Sequence, residues 1–302
     1  MEGCKLSKGV IPVAGFGTRL LPATKAQPKE MLPLVDKPAI QYVVEEATSS
    51  GIESLLLITG RGKRAIEDYF DYSIELEEEL ESQDKKELLH LVRQIGNMAQ
   101  IFYVRQKLQR GLGDAIYCSR EFVNGSPFAV LLADDIIEDE GPELKQMINL
   151  FERTDEMMLA VHPVPPESVS QWGVIKGEKI GEGLFQVTDL VEKPAPEEAP
   201  SNLAIVGRYI LKPTIFPVLA NTPPGKGGEI QLTDALRTLV KEERILAWQI
   251  RGNYFGVGDK LGYLKANIAL ALKRKELSSQ LRDFLQEILS TTEEKRNHEE
   301  GD

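Results

Sequence analysis

Cysteine is scarce in this chain. The 302 residues include two, Cys4 and Cys118, and neither sits at a metal or redox spacing. A disulfide framework is therefore not expected, and a reducing compartment is. The three histidines, His90, His162 and His298, form no ligand cluster. No apolar run approaches the roughly 20 residues that span a bilayer. No charged-then-apolar signal precedes Gly9, so the expectation is a cytoplasmic protein with no membrane partner. A basic surplus is also missing. Lys and Arg number 36 against 47 Asp and Glu, a net charge of -11, which argues against a nucleic-acid partner because phosphate backbones reward basic faces. A small phosphorylated ligand is not excluded. One triphosphate needs only a few local cations, and carboxylates suit Mg²⁺.

What is present is ordinary for a globular enzyme: 42% hydrophobic and 27% charged residues, with ample material for a core. Apolar runs alternate with helical patterns, the mark of an α/β fold on a largely parallel sheet. A first strand over 9–14 runs into Gly15-Phe16-Gly17-Thr18-Arg19. A helix is expected from Ala39 to about Ser50, with Ile40, Val43, Val44 and Ala47 on one face and Gly51 closing it. Further strands are expected at 55–58, 101–104, 128–133, 157–163, 173–176, 184–192 and 203–211. Helices are expected at 63–70, 73–95, 142–153, 213–220, 230–242 and 260–289, and a loop followed by a helix over 111–123. The acidic run from Glu75 to Glu81 reads as a solvated helix face. From about Thr291 the chain is charged and poor in apolar residues, so a disordered tail over 291–302 is expected. The stretch from 259 to 289 is amphipathic and could pack on the core or form an interface.

Five segments carry candidate chemistry. Gly15 and Gly17 follow the first strand, where missing side chains let backbone N–H groups approach a phosphate. The spacing is neither the dinucleotide G-x-G-x-x-G nor the P-loop pattern. Thr18, Arg19, Lys25 and Lys29 add a hydroxyl and cations in a proline-punctuated loop. On local pattern alone this is either a phosphate cradle or a glycine turn with exposed bases. A second segment, Gln106 and then Arg110-Gly111-Leu112-Gly113-Asp114, is a strand end, a glycine turn and a helix start. An amide there offers a donor and an acceptor to a base edge. Leu131-Leu132-Ala133-Asp134-Asp135 ends a buried strand on carboxylates, which suits Mg²⁺ or merely a turn. In the fourth, Trp172-Gly173 precedes a strand, and a second strand ends at Glu192-Lys193, an acceptor and a cation side by side. The fifth joins Ile205-Val206-Gly207-Arg208-Tyr209 to a helix start at Glu229 to Ala235, whose acids either line a site or favour the helix N-terminus.

The whole stretch from Ala14 to Pro33 resembles the signature of the sugar-nucleotide pyrophosphorylases. Its continuation from Val35 to Ala47 narrows the resemblance to the UDP-glucose pyrophosphorylase branch of the sugar nucleotidyltransferases, and the similarity runs from Lys8 to about Leu272. It implies a Rossmann-like mixed, mostly parallel sheet flanked by helices, the nucleotide-diphospho-sugar transferase fold. One domain over 8–290 is implied, with a nucleotide-binding half at about 8–135, a sugar-binding half at about 136–258 and a C-terminal helix at about 259–290. The implied reaction joins UTP to glucose 1-phosphate, giving UDP-glucose and pyrophosphate, with Mg²⁺ as cofactor and a homo-oligomer, dimer or tetramer, as the assembly. Ala14, Gly15, Gly17, Thr18 and Glu30 would contact the nucleotide, and Gln106 and the Gly111 backbone the uracil edge. Arg19, Lys29 and Lys193 would be catalytic, Asp134 would hold the metal, and Gly173, Glu192 and Gly207 would bind the sugar.

Two positions depart from the family pattern. Asp114 stands where the family usually has His. Gly256 stands where it has an aspartate that related enzymes use as a second metal ligand. Either one carboxylate holds the metal, or Asp259 or Asp234 compensates. Two other readings therefore stay open: a related enzyme using another nucleotide such as dTTP, and a catalytically weakened UDP-sugar-binding regulatory paralogue.

Overall fold

The computed structural model describes residues 5–299, and its architecture follows from strands that are apolar on both faces. Along the chain come β1 (Lys8–Pro12), a long loop, the short β2 (Pro33–Leu34) and β3 (Lys37–Pro38), α1 (Ala39–Ser49) and β4 (Ser54–Thr59). Three helices follow, α2 (Arg64–Phe70), α3 (Ile74–Ser82) and α4 (Lys86–Gly96), and then β5 (Gln100–Arg105), α5 (Leu112–Tyr117) and α6 (Arg120–Val123). Next are β6 (Phe128–Leu131), β7 (Asp135–Glu138), α7 (Glu143–Thr154), β8 (Met157–Pro163), β9 (Gly173–Gly181) and β10 (Leu184–Glu192). The chain continues with β11 (Leu203–Leu211), α8 (Ile215–Asn221), α9 (Leu232–Leu239), β12 (Ile245–Gln249), β13 (Asn253–Gly256), α10 (Lys260–Ala271) and α11 (Lys275–Glu299).

Successive side chains of a strand leave on opposite faces, and here both faces are covered. In β6, Phe128 and Val130 join the buried cluster built around Ile116 and Phe216. Ala129 and Leu131 join the opposite cluster, with Val44 and Phe151. Continuous apolar runs are the consequence of burial on two sides. The nine-stranded sheet has the order β5-β4-β1-β6-β11-β8-β12-β10-β9, and β10 and β11 run against the other strands. This is the mixed, mostly parallel sheet expected.

From β1 the chain moves outward through β4 to β5, then returns to lay β6 on the other side of β1. Such a switch opens a crevice at the carboxyl ends of the strands. The far side of that crevice comes from the β9–β10 hairpin, which bends back so that Val174 also pairs with Ala204 of β11. α1 is fixed at both ends. Pro38 precedes its first turn, and Gly51 (φ 98°) closes it, with Gly51 N–H donating to Thr48 O and Ile52 N–H to Ala47 O.

The structure departs from the expectations at several points. The helix expected over 73–95 is two helices, because Asp84 takes a left-handed conformation (φ 56°) between α3 and α4. The helix expected over 260–289 breaks between α10 and α11. α11 is helical as far as Glu299, across the point near 291 where a tail was expected; Cys4 and residues 300–302 lie outside the described residues. Strands β7, β12 and β13 were not anticipated. The pairing of β7 with β13 sets Gly256 opposite Asp135.

Phe128 is fully buried and stacks on Phe216, ring centroids 5.5 Å apart. Replacing it with alanine is expected to cost about 3–5 kcal/mol of stability in chemical denaturation. A loss below about 1 kcal/mol would mean that this face of the sheet is not the core.

Candidate active site

The loop after β1 is shaped by its second glycine. Gly17 is left-handed (φ 69°), and a Cβ there would stand 3.1 Å from that of Lys29. The loop therefore folds back on itself, with the Thr24 hydroxyl donating to Gly17 O at 2.8 Å. Gln109 Nε2 ties Ala14 O down from the other wall at 2.5 Å. Gly15, by contrast, faces open space. Backbone groups and the Thr18 and Arg19 side chains are thus presented to the crevice, a cleft of about 840 Å³. Every expected site residue except Gly207 lines this one cleft.

At its centre Lys29 Nζ donates to Asp134 Oδ2 at 2.5 Å. Burial would lower the Lys29 ammonium, but Asp134 and Glu30 outweigh it and hold it above the usual lysine value. Burial would likewise raise Asp134, yet Lys29 and then Arg19 hold its carboxyl below the usual range. The pair is charged on both sides. Behind it Glu30, 1% exposed, pairs with Lys63 at 2.7 Å. Burial pushes the Glu30 carboxyl up and the Lys63 ammonium down. Glu30 lines the cleft, but one of its oxygens is committed to Lys63, so its placement favours holding Lys29 as much as meeting a ligand.

Asp134 is held by its backbone. Arg208, wholly buried in β11, makes five hydrogen bonds: two to Glu46 Oε2, and one each to the carbonyls of Leu132, Gly207 and Asp135. The carbonyls of Leu132 and Asp135 bracket the residue that faces the cleft. From the other side Val257 N–H donates to Asp134 O at 2.7 Å.

Gly207, expected to let the backbone approach a sugar, does not line the cleft, and Asp135 packs against it. Gly207 N–H donates to Asp135 Oδ2 at 3.0 Å, and its carbonyl accepts from Leu132 N–H and Arg208. Asp135 also accepts from the Tyr254 hydroxyl. Burial, and then the neighbouring Asp134, push the Asp135 carboxyl up to about 6.

At the sugar end of the expected site, Gly173 is opposite Glu192 in the β9–β10 ladder. A Cβ at 173 would press on Thr233 Oγ1 at 2.9 Å and Glu192 Oε2 at 3.2 Å. Glu192 accepts from the Thr233 hydroxyl at 2.7 Å, while Lys193 Nζ lies 3.0 Å from the other carboxylate oxygen. Lys193 is left-handed (φ 46°), and its carbonyl takes a hydrogen bond from Lys226. At the opposite end Gln106 and Asp114, both nearly buried, are joined by a hydrogen bond of 2.7 Å.

The donor set for a divalent cation can be tested directly. Among the described residues no group of three or more His, Cys, Asp or Glu side chains could hold a metal. Asp259, the compensating acid considered above, caps α10 by accepting from Gly262 N–H at 2.9 Å, and Asp234 does not line the cleft. A side chain at 256 would meet the Tyr254 hydroxyl 3.0 Å from its Cβ. Asp259 also lines the cleft, and Asp134 alone already fits Mg²⁺ when substrate phosphates supply further oxygens.

Several residues of the site were not singled out from sequence. Tyr254 and Thr233 line the cleft, and Lys63 and Arg208 stand behind it. Arg208 did carry a signal, as a lone cation inside the apolar run of β11. Tyr254 and Lys63 carried none.

The pattern of the nucleotidyl transferase family matches residues 8–273. The chain is 51% identical over 285 residues, 94% of its length and 96% of the relative's, to the UTP–glucose-1-phosphate uridylyltransferase YngB of Bacillus subtilis. It is 48% identical to a second uridylyltransferase of that organism, over 96% of this chain and 99% of the relative. A solved UDP-glucose pyrophosphorylase complexed with UDP-glucose superposes with a TM-score of 0.82 at 47% identity, covering 89% of this chain and 100% of its own. A UTP-bound enzyme from Acinetobacter baumannii gives 0.87 at 40% identity, covering 93% and 99%.

Replacing Arg208 with methionine leaves Glu46 buried without its partner and frees two carbonyls beside Asp134. The expected cost is about 3–5 kcal/mol in denaturant unfolding. A cost below about 1 kcal/mol would show that Arg208 does not hold this loop.

Proposed function

The chain belongs to the nucleotidyl transferase family, and from that premise we propose that it joins UTP to glucose 1-phosphate, releasing UDP-glucose and pyrophosphate. The observation that carries this reading is a single cleft whose ends differ in chemistry, with Asp134 and Lys29 between them. The triphosphate lies along the loop from Ala14 to Lys29, where N–H groups, Arg19 and Lys29 meet its charge. The base reaches Gln106 and the backbone at Gly111, and the glucose lies against Gly173, Glu192 and Lys193. These assignments divide the domain into a nucleotide half, about 8–135, and a sugar half, about 136–258.

Nucleotidyl transfer of this kind needs positioning and charge neutralisation rather than a covalent enzyme intermediate. A phosphate oxygen of glucose 1-phosphate attacks the α-phosphorus in line. The bond to the bridging oxygen breaks opposite, and pyrophosphate leaves with that bond's electron pair. Lys193 orients the attacking phosphate, and Glu192 accepts from sugar hydroxyls while Thr233 fixes its other face. Arg19 and Lys29 neutralise the departing charge. Lys29 already sits on Asp134, so its ammonium is in place before substrate arrives. Mg²⁺, when bound, would be held by Asp134 and phosphate oxygens and would add to that neutralisation. Asp135 stays out of the chemistry, tied to Gly207 and Tyr254.

The surroundings proposed for this reaction are the cytoplasm and a homo-oligomer, dimer or tetramer. Among the described residues no helix is long and apolar enough to cross a membrane. Leu261, Leu264 and Phe284 leave exposed apolar surface on α10 and α11 for a second copy.

The direct test is pyrophosphate release from UTP and glucose 1-phosphate in Mg²⁺; no turnover would overturn the reading. In that assay Lys193→Ala is expected to raise KM for glucose 1-phosphate and lower kcat/KM at least a hundredfold. An unchanged kcat/KM removes Lys193 from the site. Asp134→Ala is expected to abolish turnover, and substantial residual activity would place the metal elsewhere. Gly256→Asp, which supplies a second carboxylate but must displace the Tyr254 hydroxyl, is expected to tighten the Mg²⁺ requirement. No shift in the Mg²⁺ titration midpoint would mean that a carboxylate at 256 does not reach the metal.

A further inference from the structure

Gln106 does not present both of its hydrogen-bonding faces to the cleft. Its Nε2 donates to Asp114 Oδ2 at 2.7 Å and to the Gly111 carbonyl at 3.2 Å. Both amide hydrogens are therefore used on protein acceptors. Asp114 is itself held by Arg110, whose Nε and Nη2 reach Oδ1 at 3.1 and 2.7 Å. A carboxylate paired in this way only accepts, and so does a backbone carbonyl. Turning the Gln106 amide over would set its oxygen against Asp114 Oδ2 and the Gly111 carbonyl. In that orientation a buried polar contact becomes a repulsion, at 5% exposure for Gln106 and 6% for Asp114.

The partners do not move easily. Gln106 N–H extends the β4–β5 ladder by donating to Thr59 O at 2.9 Å. Gly111 (φ 107°) packs so closely on the segment before α9 that a Cβ would stand 2.7 Å from Ile230 O. Gly113 N–H donates to that same carbonyl at 2.8 Å. Gln106 lines the cleft, and among the described residues none donates to its Oε1. The amide thus shows the ligand an acceptor and no donor.

Resting on the proposed nucleotide site, we propose that Asp114 is a specificity-determining positioning residue. By fixing the Gln106 amide it admits bases that carry an imino N–H on their pairing edge, as uracil and thymine do at N3. Cytosine brings a lone pair at N3 and meets oxygen against lone pair. A site whose polar group is left unpaired by the wrong ligand discriminates far more strongly than one that differs in shape alone. Asparagine at 114 has nearly the same shape but offers both a donor and an acceptor. It lets Gln106 turn and present an N–H to cytosine.

The test is kcat/KM for UTP and for CTP at saturating glucose 1-phosphate, with UDP and CDP binding by calorimetry alongside. Wild type is expected to prefer UTP strongly. Asp114→Asn is expected to cut the UTP-to-CTP ratio about tenfold or more, chiefly through improved use of CTP. Asp114→Ala removes the anchor without a new donor and is expected to shift the ratio in the same direction, which keeps the test decisive should the asparagine variant fold poorly. A ratio unchanged within twofold, or an equal loss with both nucleotides, overturns the role of Asp114 and leaves the uridylyl-transfer reading intact. A wild type that uses neither nucleotide, or prefers CTP, overturns that reading and this inference together.

Discussion

A guanidinium sealed from water must find an acceptor for each of its five N–H groups, and Arg208 finds them all within one small region. Two of its hydrogen bonds reach α1 through Glu46, and three reach the carbonyls of Leu132, Gly207 and Asp135. Burial of this kind seldom adds net stability over an apolar core, but an unpaired remnant is costly. The consequence is geometric. Through these carbonyls Arg208 ties down the turn that ends β6, where Asp134 pairs with Lys29 and Asp135 with Gly207 and Tyr254. The different partners of two adjacent aspartates are thus held by a residue that does not itself line the cleft.

From that turn the charge pattern of the cleft extends in both directions. Lys29 is drawn onto Asp134, and Glu30 beside it is neutralised by Lys63 in the layer beneath. Lys29 thus sits in the field of two carboxylates, Asp134 and Glu30, both of which line the cleft. On the far wall, Thr233 and the left-handed Lys193 fix Glu192 and direct it inward. The ladder between β7 and β13 sets Gly256 opposite Asp135, and the space a side chain there would enter is bordered by the Tyr254 hydroxyl.

Much of this was legible in the sequence where one physical cause dominates. The doubly buried strands show as unbroken apolar runs, and α1 shows its helical period together with a proline before it and a glycine after it. The loop from Ala14 to Lys29 and the strand ends at Gln106, Asp134 and Lys193 could be marked as candidate chemistry, and the structure gathers them in one cleft. What was illegible depends on contacts between distant segments. Asp84 breaks a helix without glycine or proline to announce it, and β7 and β13 are strands only because they meet each other. Gly207 was expected as an approach point for sugar, and the crowding of its Cβ position by Asp135 and Leu132 could not be read from its own segment. The partners of Lys63 and Tyr254 lie 33 and 119 residues away, beyond any local pattern.

The proposed reaction requires one cleft to hold the nucleotide and the sugar at opposite ends of the Lys29–Asp134 pair. A crystal structure of this protein with UDP-glucose tests it most directly. The expected density is uracil against Gln106, the diphosphate along the loop from Gly15 to Arg19, and glucose between Gly173 and Glu192. A sugar bound away from the end of β10, or a base bound away from Gln106, would contradict it.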